Sequence, residues 1–227
     1  MEDPVVRRAH VPCPLALIAL VASAALAGEA GQPRTIEFQF TMGDRAVGKT
    51  LYQLAAWVET PAGEFLGTVY VTAMTGKEGL GNGRPKLLGL VQSRSPEALP
   101  VWAFARGVRY GKSFYPPRSQ PLPDAITGPT PKVREFTKAF ELTPEMAAKL
   151  KGTQAVCVAE ANVRSDDAPS MVFRGTLDLA KPGAVLLRFI GTGHPKWISG
   201  RISQGLDPRY SPSDYIARAA VRVGGQR

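Results

Sequence analysis

The stretch RTIEFQF (34–40) alternates without a break, with Ile36, Phe38 and Phe40 on one side and Thr35, Glu37 and Gln39 on the other. A period of two suits a strand with one buried face, so the chain must supply a second layer to cover that face. LYQLAAWV (51–58) and EFLGTVYVT (64–72) are apolar and β-prone, and ETPAG between them carries proline and glycine where a hairpin reverses. KVREFTKAFEL (132–142) predicts another strand. QAVCVAEANVR and MVFRGTLDL predict a second hairpin that turns at SDDAPS, and AVLLRFI (184–190) predicts one more strand. In IARAAVRV (216–223) alanine and arginine favour helix. Ala217, Ala219, Val221 and Val223 nevertheless share one side of an extended chain, and a strand is the expectation.

Other segments break the β pattern. TGKEGLGNGRPK is too rich in glycine to pack and reads as a mobile loop. SPEALPVWAFARGV predicts a short helix capped by Ser95, with Pro96 in its first turn and an interruption at Pro100. TPEMAAKL predicts a second short helix, with Thr143 as cap and Pro144 at the first helical position. The prolines of SFYPPRSQPLPDAITGPTP (113–131) predict a long ordered loop crossing the surface. About seven or eight strands without regular βα alternation predict an all-β fold, an antiparallel β-sandwich with one or two short helices.

The N-terminus reads as an export signal. Arg7 and Arg8 precede the apolar run LALIALVASAALA, and the small residues of ALA (25–27) predict cleavage before Gly28. The run is shorter than the roughly 20 residues needed to cross a bilayer, so no integral span is expected once it is removed. The expected organisation is a signal peptide (1–27), a linker (28–33) and one sandwich domain with a C-terminal extension (34–227), placed in the periplasm. Cys157 is then the only cysteine left, which excludes an intramolecular disulfide. Loss of the leader removes Glu2, Asp3, Arg7 and Arg8 together, so the formal charge of +9 is unchanged. That charge favours anionic partners. Nucleic acid is not expected, because the basic residues do not form a block among aromatics.

Few residues suggest catalysis. His194, in the turn-like GTGHPKW, is the only histidine beyond the leader, which disfavours a histidine-bound zinc and a hydrolase. Cys157 alternates with apolar neighbours and reads as a buried small hydrophobe. GDRAVGKT (43–50) ends like a phosphate loop but has Gly43 one place too early, and a strand follows it. Asp166 and Asp167 stand side by side in a turn without a recognisable calcium spacing. Trp57, Trp102 and Trp197 read as core residues.

Two parts of the chain resemble a family of bacterial periplasmic domains of unassigned function, similar to immunoglobulin-like sandwiches such as that of the flagellar hook-cap protein. LYQLAAWVETPAGEFLGTVYVT resembles its paired strands around a tryptophan, a glutamate and a glycine turn. PDAITGPTPK and AVCVAEANVRSDD resemble its threonine-glycine loop and its late strand ending in a glutamate. The resemblance implies an immunoglobulin-like fold and an association with membrane flavoprotein redox systems. TPEMAAKL stands where members of such families often carry a W-D-G turn.

Asp124, Thr127, Gly128 and Thr130 also resemble the acceptor motif at which a flavin transferase joins FMN to a threonine, with Pro129 in place of the motif's alanine. The resemblance makes Thr130 the acceptor and Asp124 an orienting group. The other reading is a rigid crossover in which Thr127 and Asp124 bond their own backbone. The expected function is therefore that of an exported, non-enzymatic module that binds or supports an envelope or inner-membrane protein, with no cofactor. The alternative is a carrier of covalent FMN, with a flavin transferase or membrane reductase as partner.

Overall fold

The computed structural model describes residues 34–47, 52–79, 98–163, 169–194, 200–206 and 208–224. The expected leader and linker, residues 80–86 of the glycine-rich loop, Ser95, Asp166, Asp167 and Trp197 lie outside the described residues. Among those described, the strands are β1 (Arg34–Met42), β2 (Tyr52–Glu59), β3 (Phe65–Thr72), β4 (Thr127–Gly128), β5 (Glu135–Leu142), β6 (Gln154–Val163), β7 (Ser170–Asp178), β8 (Ala184–Leu186), β9 (Arg188–Gly193), β10 (Ile202–Ser203) and β11 (Ile216–Val223). Four short helices accompany them: α1 (Ala73–Gly76), α2 (Pro100–Ala105), α3 (Pro144–Lys149) and α4 (Pro212–Tyr215). The expected all-β sandwich is the fold, with more and shorter helices than the sequence predicts.

β1 keeps the alternation of its sequence, burying Ile36, Phe38, Phe40 and Met42. It pairs antiparallel with β5 and β11, so that Phe38 lies opposite Lys138 and Val221. β8 completes a four-stranded sheet in the order β5-β1-β11-β8. On its outer face Arg222 donates to both carboxylate oxygens of Glu37, at 2.9 and 3.0 Å. Water reaches this pair, which limits it to roughly 1 kcal/mol or less.

The second sheet has seven strands in the order β10-β9-β7-β6-β2-β3-β4. Its interior strand β2 is buried from Tyr52 to Val58, and both of its faces are covered. Leu54, Ala56 and Val58 join Cys157, Ala159 and Phe173 against the aromatic face of β1, forming the core between the sheets. Ala55 and Trp57 point the other way. With Val71, Val158 and Val172 they meet Val101 and Trp102 of α2 and the ring-bearing Phe114 and Tyr115. The architecture is a sandwich with a third, irregular layer over the outside of its larger sheet.

Several elements differ from the sequence reading for physical reasons. AVLLRFI is two strands: β8 pairs with β11 in one sheet and β9 with β7 in the other. Leu187 is the corner between them, its side chain buried and its N–H donated to Ala219 at 2.9 Å. In β11, Thr41 faces Arg218 while Met42 faces Ile216, which leaves Ala217 as the extra residue of a bulge. The bulge turns Ala217 outward, away from the face it would share with Ala219 and Val221. Pro100 begins α2 instead of interrupting it. A proline costs least there, because the first amides of a helix have no partner within it. Thr143 caps α3 as expected, accepting from the Met146 amide at 3.2 Å. The 113–131 segment does more than cross the surface: Phe114 and Tyr115 enter the outer core, and Thr127 and Gly128 extend the sheet beside β3.

Cys157 is fully buried, and loss of hydration pushes its thiol pKa far up. In a Cys13→Ser chain, a thiol reagent at mildly alkaline pH should leave the folded protein unlabelled and label it stoichiometrically in denaturant. Labelling of the folded chain at the denatured rate would place Cys157 outside the core.

Candidate functional site

The 123–131 segment is a strap along the β3 edge of the larger sheet. A 3-10 turn, Asp124–Ile126, leads into β4, which runs parallel to β3 with Thr127 beside Val71 and Gly128 beside Thr72. Gly128 is needed because a β-carbon there would stand 2.7 Å from the Tyr70 ring. The Tyr70 hydroxyl donates to the Pro129 carbonyl, and burial pushes its pKa up to about 12. Thr127 donates to the Pro123 carbonyl at 3.2 Å, as a rigid crossover requires. Thr130 is half-buried and donates its hydroxyl to the Tyr52 carbonyl at 3.2 Å. Asp124 is largely exposed and is ion-paired with Lys77, while Thr130 bonds elsewhere. The motif residues thus share one strap, while their side chains bond to β2, to Lys77 just past α1 and to their own backbone.

The most unusual charge placement lies on the opposite side of β2. Glu160 of β6 is completely buried beneath α2. One carboxylate oxygen accepts from the Val101 amide at 3.2 Å and from the Ser170 hydroxyl, and the other accepts from the Trp102 amide at 2.7 Å. These amides belong to the first turn of α2, whose own N-cap, Leu99, has no side-chain acceptor. A residue from a strand therefore does the work of the missing cap. Gly193 makes room for the pair, since a β-carbon there would lie 2.6 Å from Ser170 Oγ and 3.0 Å from the carboxylate. Asn162 supports the same turn by donating to the Ala98 carbonyl at 3.0 Å.

Burial pushes the Glu160 pKa up to about 7, with the Ser170 and helix-amide hydrogen bonds pulling it partly back. Ser170 can serve both protonation states. Its single hydroxyl proton is within reach of both Glu160 and the Gly193 carbonyl, the latter at 3.2 Å. Ser170 can donate to a charged Glu160 and, when Glu160 is protonated, accept from it and donate to Gly193 instead. The sequence singles out this glutamate only through resemblance. Its partners lie 58, 59 and 10 residues away, beyond the reach of any local motif.

What Glu160 anchors is an outward projection. α2 ends at Ala105 with Arg106 as its C-cap, and the next residue, Gly107, has a φ of 66°, the left-handed stop that glycine adopts without strain. Beyond it, Tyr110 and Ser113 exchange backbone hydrogen bonds at 2.7 and 3.2 Å around Gly111 and Lys112. Arg106 stacks on Trp102 with its guanidinium carbon 4.9 Å from the ring centre, and it donates to the Tyr110 hydroxyl at 3.0 Å. Arg109 lies 4.4 Å over Phe114, which in turn packs against Phe104. Phe104 and Val108 remain 40% and 43% exposed. The Trp102 indole donates inward to Thr68 at 3.1 Å, fixing the base of the projection.

The remaining sequence candidates are dispersed. Trp57 is buried and donates to Glu59 at 2.7 Å. His194 is exposed one residue beyond β9. Among the described residues there is no group of three His, Cys, Asp or Glu side chains placed to hold a metal ion, and no helix is long and apolar enough to cross a membrane. A shallow polar groove of about 270 Å³ crosses β5, β1 and β11 between Gln39, Thr137 and Arg218.

The raised Glu160 pKa has a defined sign. An unfolded glutamate titrates near 4.3, so the folded state holds the extra proton between about pH 4.3 and pH 7. Stability from this group is complete below that window and is lost as pH rises through it. Between pH 5 and pH 8 the wild-type chain should lose on the order of 2–3 kcal/mol more than Glu160→Gln, measured by urea unfolding at each pH. Parallel profiles for the two proteins would contradict this. Comparison of the chain with protein-family models, curated proteins and solved structures found no match in any of the three.

Proposed function

We propose that this chain is an exported, non-catalytic β-sandwich that binds or supports another component of the cell envelope. The observation that carries the reading is how its polar groups are used. Glu160, Ser170 and Gln53 are buried and bonded to other parts of the chain: Gln53 accepts from the Thr72 and Thr75 hydroxyls, and Glu160 from α2. The exposed groups of the 104–112 projection are turned outward on a rigid base. Buried polar groups spent on holding loops, beside a fixed protruding surface, suit recognition better than acid-base chemistry. The periplasmic location rests on the leader sequence, and the immunoglobulin-like kinship rests on the resemblance; both belong to the proposal.

Covalent flavin at Thr130 is the second reading, favoured by the order Asp124, Thr127, Gly128 and Thr130 on one surface strap. In it Thr130 would give up its bond to the Tyr52 carbonyl, and Asp124 would leave Lys77, before a transferase could use them. One experiment addresses both readings: intact mass of the chain recovered from fractionated cells coexpressing a flavin transferase. The proposed function predicts a periplasmic species lacking residues 1–27 and carrying no adduct. An FMN adduct that disappears in Thr130→Ala would establish the second reading. An uncleaved chain confined to the cytoplasm would overturn the first.

A further inference from the structure

We propose that the 104–112 projection is a docking site for anionic phospholipid headgroups, an inference that rests on the binding-module reading and names its partner. Residues 98–123 contain Arg106, Arg109, Lys112 and Arg118 and not one acidic residue. Arg118 pairs with Glu78, whereas Arg109 and Lys112 are exposed and have no ion pair among the described residues. The Arg109 guanidinium carbon lies 4.4 Å over the Phe114 ring, and an arginine held on a ring can still offer N–H groups to phosphate oxygens. Arg106 Nη1 is buried and has no acceptor among the described residues. Phe104 and Val108, both apolar and exposed, stand in the same short stretch. Cations beside exposed aromatic and aliphatic groups match a bilayer interface, where charge meets phosphate and the apolar groups enter the headgroup boundary. An acidic protein would be attracted by the cations but gives no role to the exposed Val108 and Phe104 of the same segment.

The test is cosedimentation of the full-length chain with vesicles of phosphatidylcholine alone or with one-third phosphatidylglycerol. The apolar leader is common to every variant, so differences between variants report on the projection. Each cation near an anionic surface contributes roughly fivefold to partitioning. Arg109→Glu/Lys112→Glu should therefore weaken binding to the anionic vesicles by about 25-fold or more. Val108→Ser should weaken it by up to about tenfold. Salt that shortens the screening length to about 3 Å should weaken wild-type binding strongly and the charge-reversed chain little. Lys132→Glu/Lys151→Glu makes the same change in net charge at exposed positions outside the projection, and it should retain most of the binding.

Three outcomes would overturn the proposal: no preference for anionic vesicles, equal loss in the two charge-reversed variants, or capture of polyglutamate through Arg109 and Lys112 without vesicle binding. A chain that ignores vesicles yet is exported and cleaved leaves the module reading intact. A chain retained uncleaved in the cytoplasm removes that reading whatever the vesicles show.

Discussion

A carboxylate sealed inside the protein with helix amides in place of a cation is the constraint on which the outer layer depends. Burial penalises the charge of Glu160, and three hydrogen bonds offset part of that penalty only if α2 starts where Val101 and Trp102 can reach it. Once α2 is placed, Trp102 is fixed over Thr68, Arg106 over Trp102, and the 104–112 projection on that stack. A six-residue helix has little stability of its own. Its order comes from the strand beneath it. Gly193 belongs to the same arrangement, because any side chain there would enter the space shared by Ser170 and Glu160.

The two sheets divide the work. The four-stranded sheet buries one face and leaves Glu37, Gln39 and Arg222 to water, while the seven-stranded sheet buries both faces of its centre. This division was legible in the residues. RTIEFQF alternates because one face is wet, and LYQLAAWV, apart from Gln53, is apolar because neither face is. The β2–β3 hairpin, the β6–β7 pair and the capped helix α3 were equally readable, since each depends on neighbours in sequence. AVLLRFI was not, because an apolar run carries no mark of the residue at which it leaves one sheet for the other. Nor was the bulge at Ala217, which is set by pairing with β1.

The candidate sites show the same boundary. Asp124 and Thr130 stand close in sequence, yet Asp124 pairs with Lys77, and Thr130 bonds to a carbonyl 78 residues away. Spacing fixed their presence on one strap and said nothing of their partners. The projection left a trace that the overall charge concealed: the basic residues are spread along the chain, but residues 98–123 lack any acid to balance theirs. The role of Glu160 as a distant helix cap left no local trace at all.

The most direct test of this account is a pH titration of the backbone amide resonances of Val101 and Trp102 in isotopically labelled protein. If Glu160 holds the start of α2, both amides should shift with a common midpoint near 7, and the transition should vanish in Glu160→Gln. Amides that do not respond between pH 5 and pH 8 in the wild-type chain would mean that the carboxylate is not their partner. The outer layer would then have to be held in place by something else.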